Sequence, residues 1–218
     1  MKRISLTLCL AFLTVLFCQA QVAPLKFNKN GEFKIVQFTD IHFQYHNPAS
    51  AIALKRINEV LDAERPDLIV FTGDVVYAPP ADTAMRAVLD CASSRKIPFV
   101  VTFGNHDNEQ GKTRAELYDI IRSMPYNIQP DRGSVESPDY VLTVKSSDGK
   151  KDASVLYCLD SHSYSKLPDV KGYDWLTFDQ VNWYRQQSAA FTAKNNGKPF
   201  ACFGILPHPA VRIQRSSF

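Results

Sequence analysis

The sequence predicts an α/β fold of two stacked mixed β-sheets flanked by helices, incomplete at the C-terminal end. Three observations carry this reading. In the first half, short apolar runs alternate with segments of helical spacing, the pattern of a parallel sheet covered by helices. In the second half, two strand-like runs meet at a Ser-Asp-Gly turn, a hairpin signal. The 218 residues, 45% apolar and 22% charged, suit one ordinary globular domain.

Phe33 to Thr39 reads as the first strand. Ala49 to Ala63 carries Ile52, Leu54, Ile57, Val60 and Leu61 at helical spacing, and Pro66 stops it. Asp67 to Thr72 is a buried strand. Ala81 to Ser93 is a second helix with Met85, Val88 and Leu89 inward, Pro98 to Phe103 a third strand, and Thr113 to Ser123 a third helix. Asp139 to Val144 and Ala153 to Leu159 flank the turn at Ser147, Asp148 and Gly149. Phe178 to Phe191 reads as a helix and Pro199 to Gly204 as a final strand. No internal repeat or low-complexity block interrupts the series.

Met1, Lys2 and Arg3 precede an apolar run from Ile4 to Phe17, and Cys18-Gln19-Ala20 ends on a small residue. Residues 1–20 therefore read as a signal peptide cleaved after Ala20, which places the chain in the periplasm or outside the cell. Phe17 is too bulky before Cys18 for a good lipidation signal. The run is short for a transmembrane span, so no membrane span is expected after cleavage. Cleavage removes Lys2 and Arg3 and no acid, so the net charge of +3 falls to +1. That charge does not suit a nucleic-acid-binding module. Cys91, Cys158 and Cys202 remain, an odd number that implies no full disulfide framework. Cys158 and Cys202 lie in apolar runs and are expected to be buried thiols.

Chemistry-bearing residues gather after the first three strands: Asp40-Ile41-His42, Gly73-Asp74 and Gly104-Asn105-His106-Asp107. In Asp-x-His at a strand end, both side chains point the same way and can share a cation. Gly73 lets backbone and metal approach closely. Asn105 offers a neutral oxygen, His106 can then reach a substrate, and Asp107 can fix the tautomer of its ring. Each motif alone is commonly a turn; three in this order, all at strand ends, point to a metal site. Asp160-Ser161-His162 repeats the spacing later, with Asp160 read as structural and His162 and Tyr164 as rim residues. His46 reads as a solvated loop residue, Lys150-Lys151 as a solvated hairpin tip, and Trp175 and Trp183 as packing residues.

On these motifs the chain resembles the calcineurin-like metallophosphoesterases, from about Phe33 to Gly204, and is most similar to their secreted purple-acid-phosphatase-like branch. The resemblance implies a domain over residues 21–204 that is a metal-dependent phosphoester hydrolase acting on a phosphorylated small molecule or other phosphoester. It implies two divalent or mixed-valence metal ions (Mn, Fe or Zn), with Asp40 and His42 on the first, Asp74 bridging, and Asn105 on the second. His106 would protonate the leaving group or stabilise the transition state, with Asp107 behind it, while a metal-bound hydroxide attacks phosphorus in line. Gly73-Asp74-Val75-Val76-Tyr77 also matches the spacing by which purple acid phosphatases add a tyrosinate ligand, but His42 departs from that subgroup, and Tyr77 is read as a rim aromatic.

The family pattern ends in Gly-His-x-His, which is absent from these 218 residues. Relatives of this branch follow their last strand with Phe-Phe-His-Ile-Pro-Leu. Here Gly204 is followed by Ile205-Leu206-Pro207-His208-Pro209-Ala210. Codons permitted for that segment, read one base later, spell Phe-Phe-His-Ile-Pro. Residues 205–218 are therefore expected to be out of frame, and His208 not to be the corresponding ligand. The expectation is an impaired hydrolase; the alternative is a non-catalytic binding or scaffold protein on a decayed phosphoesterase domain.

Overall fold

The computed structural model describes residues 22–207. Residues 1–21, which include the expected signal peptide, and residues 208–218, which include His208, lie outside the described residues. Two three-stranded sheets stack face to face. The first runs β1 (Ile35–Phe38), β2 (Leu68–Thr72), β3 (Phe99–Thr102), all parallel, with Phe38 beside Phe71 and Thr72 beside Thr102. The second runs β4 (Tyr140–Lys145), β5 (Asp152–Cys158), β6 (Ala201–Ile205), with β4 antiparallel and β6 parallel to β5. The expectation of two mixed sheets thus divides: the second is mixed, while the described strands of the first are purely parallel.

Side-chain alternation builds both cores. On β2, Ile69 and Phe71 enter one cluster with the helices α1 (Ala51–Glu64), α2 (Ala81–Ser93) and α3 (Arg114–Arg122). Leu68 and Val70 face the other way and join Tyr140, Val144, Leu156, Cys158 and Ile205 of the second sheet. β3 repeats this, with Phe99 and Val101 toward the helices and Val100 toward the second sheet. A central strand buried on both faces must be apolar at every position, and Leu68–Phe71 is. The fourth helix, α4 (Phe178–Lys194), sets Trp183 and Tyr184 against Tyr157 on the outer face of β5.

Local chemistry sets the boundaries. α1 ends where Arg65 turns left-handed, at φ 46°, with Pro66 next. Thr113 with Glu116 and Thr177 with Gln180 form capping boxes that start α3 and α4. Not every apolar position of α1 is buried, and the burial expected of Cys202 is corrected. Ile52 is 57% exposed, because it lies about 140° around the helix from Ile57, at 3.6 residues per turn. Cys202 is exposed, because β6 is an edge strand in the described residues, covered on neither face along most of its length; Cys91 and Cys158 are buried.

One ion-pair cluster ties the hairpin to α4. Asp152 accepts from Lys145 at 2.5 Å and from Lys194 at 2.9 Å. These hydrogen bonds hold its carboxyl below the ordinary 3.8. A carboxyl depressed in the folded state stabilises above its unfolded pKa and loses that contribution as pH falls through the folded one. Asp152→Asn should therefore cost about 1 kcal/mol in urea unfolding at pH 7. The gap to wild type should close as pH falls below 3.8; a gap unchanged at low pH would assign the loss to packing.

Candidate metal centre

The parallel register brings the carboxyl ends of β1, β2 and β3 to one edge, where ligands commonly gather in such sheets. The loop after β1 then zips onto the loop after β2. Asp40 N–H donates to Gly73 O at 3.1 Å, His42 N–H to Asp74 O at 2.9 Å, and Phe43 N–H to Val75 O at 2.9 Å. Asp40, His42 and Asp74 all sit in left-handed backbone, at φ 52°, 49° and 51°. Such conformations are costly for non-glycine residues and tend to cluster at functional sites. Gly73 is required by proximity: a Cβ there would lie 2.6 Å from Gly104 N. A Cβ on Gly104 would strike the Asp74 carboxylate.

His42, Asp74 and His106 converge, each offering one ligand atom, all within 4.8 Å of one another. His42 Nε2 is buried without a hydrogen-bond partner and lies 3.6 Å from Asp74 Oδ2, too far for a hydrogen bond. Asp74 is 4% exposed, and its Oδ1 accepts the His106 backbone N–H at 2.9 Å, which leaves Oδ2 toward His42. An orphaned imidazole nitrogen facing a buried carboxylate oxygen suits a cation between them. His106 Nδ1 meets Glu109 Oε2 at 2.6 Å, which leaves Nε2 as its open nitrogen. Partial burial pulls the His106 pKa down, but the Glu109 hydrogen bond and the charges of Asp74 and Glu109 outweigh it, and the net shift is upward.

Asn105 is buried next to His106 in the chain, and its Nδ2 donates to Tyr164 Oη at 2.7 Å, leaving Oδ1 as its free oxygen. Asp40 is not brought into the cluster: its carboxylate accepts from Thr39 Oγ1 at 2.5 Å. Tyr77 packs edge-on against both His42 and His106, with ring centroids 4.9 Å away in each case. His46 lies against Tyr45, and His162 Nε2 meets Gln180 Oε1 at 3.0 Å, so neither imidazole joins the cluster.

The role expected of Asp107 is corrected. Its carboxylate does not reach the His106 ring, whose Nδ1 pairs with Glu109. It accepts four backbone amides instead: Val75 and Val76 on Oδ1, Asp74 and Gly104 on Oδ2, at 2.8–3.1 Å. Burial pushes its carboxyl up to about 6, against the pull of those amides. Two further residues escaped the sequence reading. Glu109 gives no motif signal beyond its spacing of three from His106. Arg114, at the first position of α3, holds Asp160 through two 2.7 Å contacts and donates to Gly104 O and His162 O.

Two stacked sheets with outer helices and an acid–imidazole cluster at the parallel sheet's carboxyl edge define a metallophosphoesterase sandwich. The chain belongs to the calcineurin-like phosphoesterase family, whose sequence model matches residues 33–214. It is 34% identical over 216 residues to an Arabidopsis thaliana protein named probable inactive purple acid phosphatase 29, covering 86% of this chain and 55% of that one. It is 30% identical over 200 residues to the Saccharomyces cerevisiae phosphatase DCR2, covering 80% and 35%. The chain thus spans about half the length, or less, of these curated relatives. A crystal structure of a Danio rerio dimetal phosphatase shares the fold at a TM-score of 0.56 and 12% identity, covering 79% of this chain and 69% of that one. Membership of this family implies two divalent metal ions.

Proposed function

We propose that the chain is a metal-dependent phosphoester hydrolase. The observation that carries this is the His42–Asp74–His106 convergence, with His42 Nε2 buried and unpaired. In this reading His42 and Asp74 would hold one ion, Asp74 and Asn105 would hold the second, and Asp40, now hydrogen-bonded to Thr39, would be available to the first. A bound metal pair supplies a nucleophile at neutral pH and neutralises phosphate charge. His106 faces the same space and carries the proton for the leaving group; its upward shift favours that form. Asp107 orients the loops, and Tyr77 screens the imidazoles from solvent. The positively charged start, the Ile4–Phe17 run and Ala20 support export with cleavage after Ala20. No helix among the described residues is long and apolar enough to cross a membrane.

A second reading, metal retention without turnover, is favoured by the name of the Arabidopsis relative. Calorimetric titration of manganese into protein recovered from an export host, paired with hydrolysis of p-nitrophenyl phosphate, separates the two. The expected result is stoichiometric uptake weakened more than tenfold by Asp74→Asn. Turnover by the 218 residues alone should be slow, because they contain no Gly-His-x-His ligands. Uptake with no turnover at all would favour the second reading, and no uptake would end both. The mass of the recovered chain reports the cleavage point.

A further inference from the structure

A cavity of about 370 Å³ opens beside the candidate centre, and neither the cluster nor the family motifs account for it. Its wall is shared with the site: Tyr164 Oη accepts from Asn105 Nδ2 at 2.7 Å, and Ser163 Oγ donates to Asn105 O at 3.3 Å. Asn108, two residues after His106, also lines it, and its Oδ1 is buried with no hydrogen-bond partner. Glu136, Asp174 and Lys166 add two carboxylates and one ammonium. Arg114 and Asp160, also in the wall, are spent on each other and on the Gly104 and His162 backbone. Tyr164 stacks on Tyr173, with centroids 5.8 Å apart and planes 18° from parallel, which gives one wall a flat aromatic backing.

These groups specify a ligand. An orphaned amide oxygen and two carboxylates ask for hydrogen-bond donors. The charge surplus is negative, so a second phosphate on the substrate is repelled. A tyrosine wall accepts the C–H face of a ring or carbon chain. We propose that this cavity is the leaving-group subsite, and that it selects phosphomonoesters of uncharged, hydroxyl-rich alcohols over polyphosphates. The proposal rests on the hydrolase reading for its catalytic consequence and on the cavity alone for binding.

The test uses manganese-loaded 218-residue protein, with sorbitol 6-phosphate and inorganic triphosphate as the two probes. The ratio of their kcat/KM values should exceed roughly tenfold in favour of the polyol ester, as one satisfied buried acceptor and one avoided repulsion allow. Glu136→Lys, on an exposed loop and safe for folding, should cut that ratio about tenfold by inviting the second phosphate, and Asn108→Leu should cut it by lowering the polyol ester. Saturation-transfer NMR of sorbitol, the uncharged alcohol itself, with the metal-free protein supplies a readout independent of turnover: the signal should be present in wild type and lost in Asn108→Leu. Hydrolysis of p-nitrophenyl phosphate with a ratio near one, or a ratio untouched by Glu136→Lys, would overturn the subsite and leave the hydrolase reading standing. Saturation without any hydrolysis would keep the subsite and remove the hydrolase. Absence of saturation in wild type overturns the subsite whatever the kinetics show.

Discussion

Asp107→Ala should be among the most damaging single substitutions in this chain, costing about 4 kcal/mol in equilibrium unfolding. Asp107 is fully buried and is the shared acceptor for the amides of Asp74, Val75, Val76 and Gly104. Removing the carboxylate orphans all four at once. Each unsatisfied buried donor costs on the order of 1–3 kcal/mol, and water entering the vacated space offsets part of the sum. Asp107→Asn should recover little, although its volume is unchanged. Both carboxylate oxygens accept two amides each, so the Asn NH₂ group must face donors with a donor. The same substitutions should weaken manganese uptake, because one oxygen of Asp107 pins Asp74 N and Gly104 N together and so sets the position of Asp74. Urea unfolding and metal titration on both variants check this. An Asn variant as stable as wild type would show that a neutral acceptor suffices and that the loops hold themselves.

The contrast between that role and the one expected from sequence shows where reading the chain works. Strand and helix positions were legible wherever apolar spacing and punctuation agreed. Ala81–Ser93 has matching bounds in both, since Pro79-Pro80 bars an earlier start and Met85, Val88 and Leu89 share one buried face. The strands agree to within two residues at every end; β2 and β3, buried along their whole length, cannot hide their apolar composition, and the others are bounded by turn residues. Of the candidate site, the motifs put His42, Asp74, Asn105 and His106 at one sheet edge; His42, Asp74 and His106 converge there within 4.8 Å, and Asn105 precedes His106 in the chain with its amide on Tyr164. Asp40 stays turned to Thr39. Asp107 was misread because adjacency in sequence suggests contact. On the short 3-10 turn Asp107–Glu109, however, its side chain points inward to the loops while His106 meets Glu109 across the turn. The exposure of Cys202 was illegible for a different reason. An apolar run predicts a strand, but whether that strand is central or an edge depends on what pairs with it. Arg114 was invisible because an arginine in the first turn of a helix reads as a solvated charge. Only the fold brings it to Asp160, 46 positions later.

Arg114→Leu should cost 3–5 kcal/mol, the usual range when one partner of a buried ion pair is removed and the other is left charged. The side chains of Arg114 and Asp160 are 8% and 7% exposed, and the guanidinium spends its donors on two segments: Asp160 and the His162 carbonyl after β5, and Gly104 after β3. It also lies 5.6 Å from the centre of the Phe103 ring. The guanidinium therefore bolts α3 of the first layer to the end of the second sheet directly behind the candidate centre. Arg114→Lys should not rescue it, since an ammonium cannot span both carboxylate oxygens and two carbonyls in one plane. The double variant Arg114→Leu with Asp160→Leu separates charge from architecture. If the loss in the single variant is the stranded Asp160 carboxylate, the double variant should regain stability, with a coupling of about 2 kcal/mol in the cycle. If the loss instead comes from the Gly104 and His162 carbonyls, the two substitutions should add, because removing Asp160 does nothing for those acceptors. An additive cycle would make Arg114 chiefly a backbone clamp on the metal-site loop. A coupled one would make the ion pair itself the joint between the two layers.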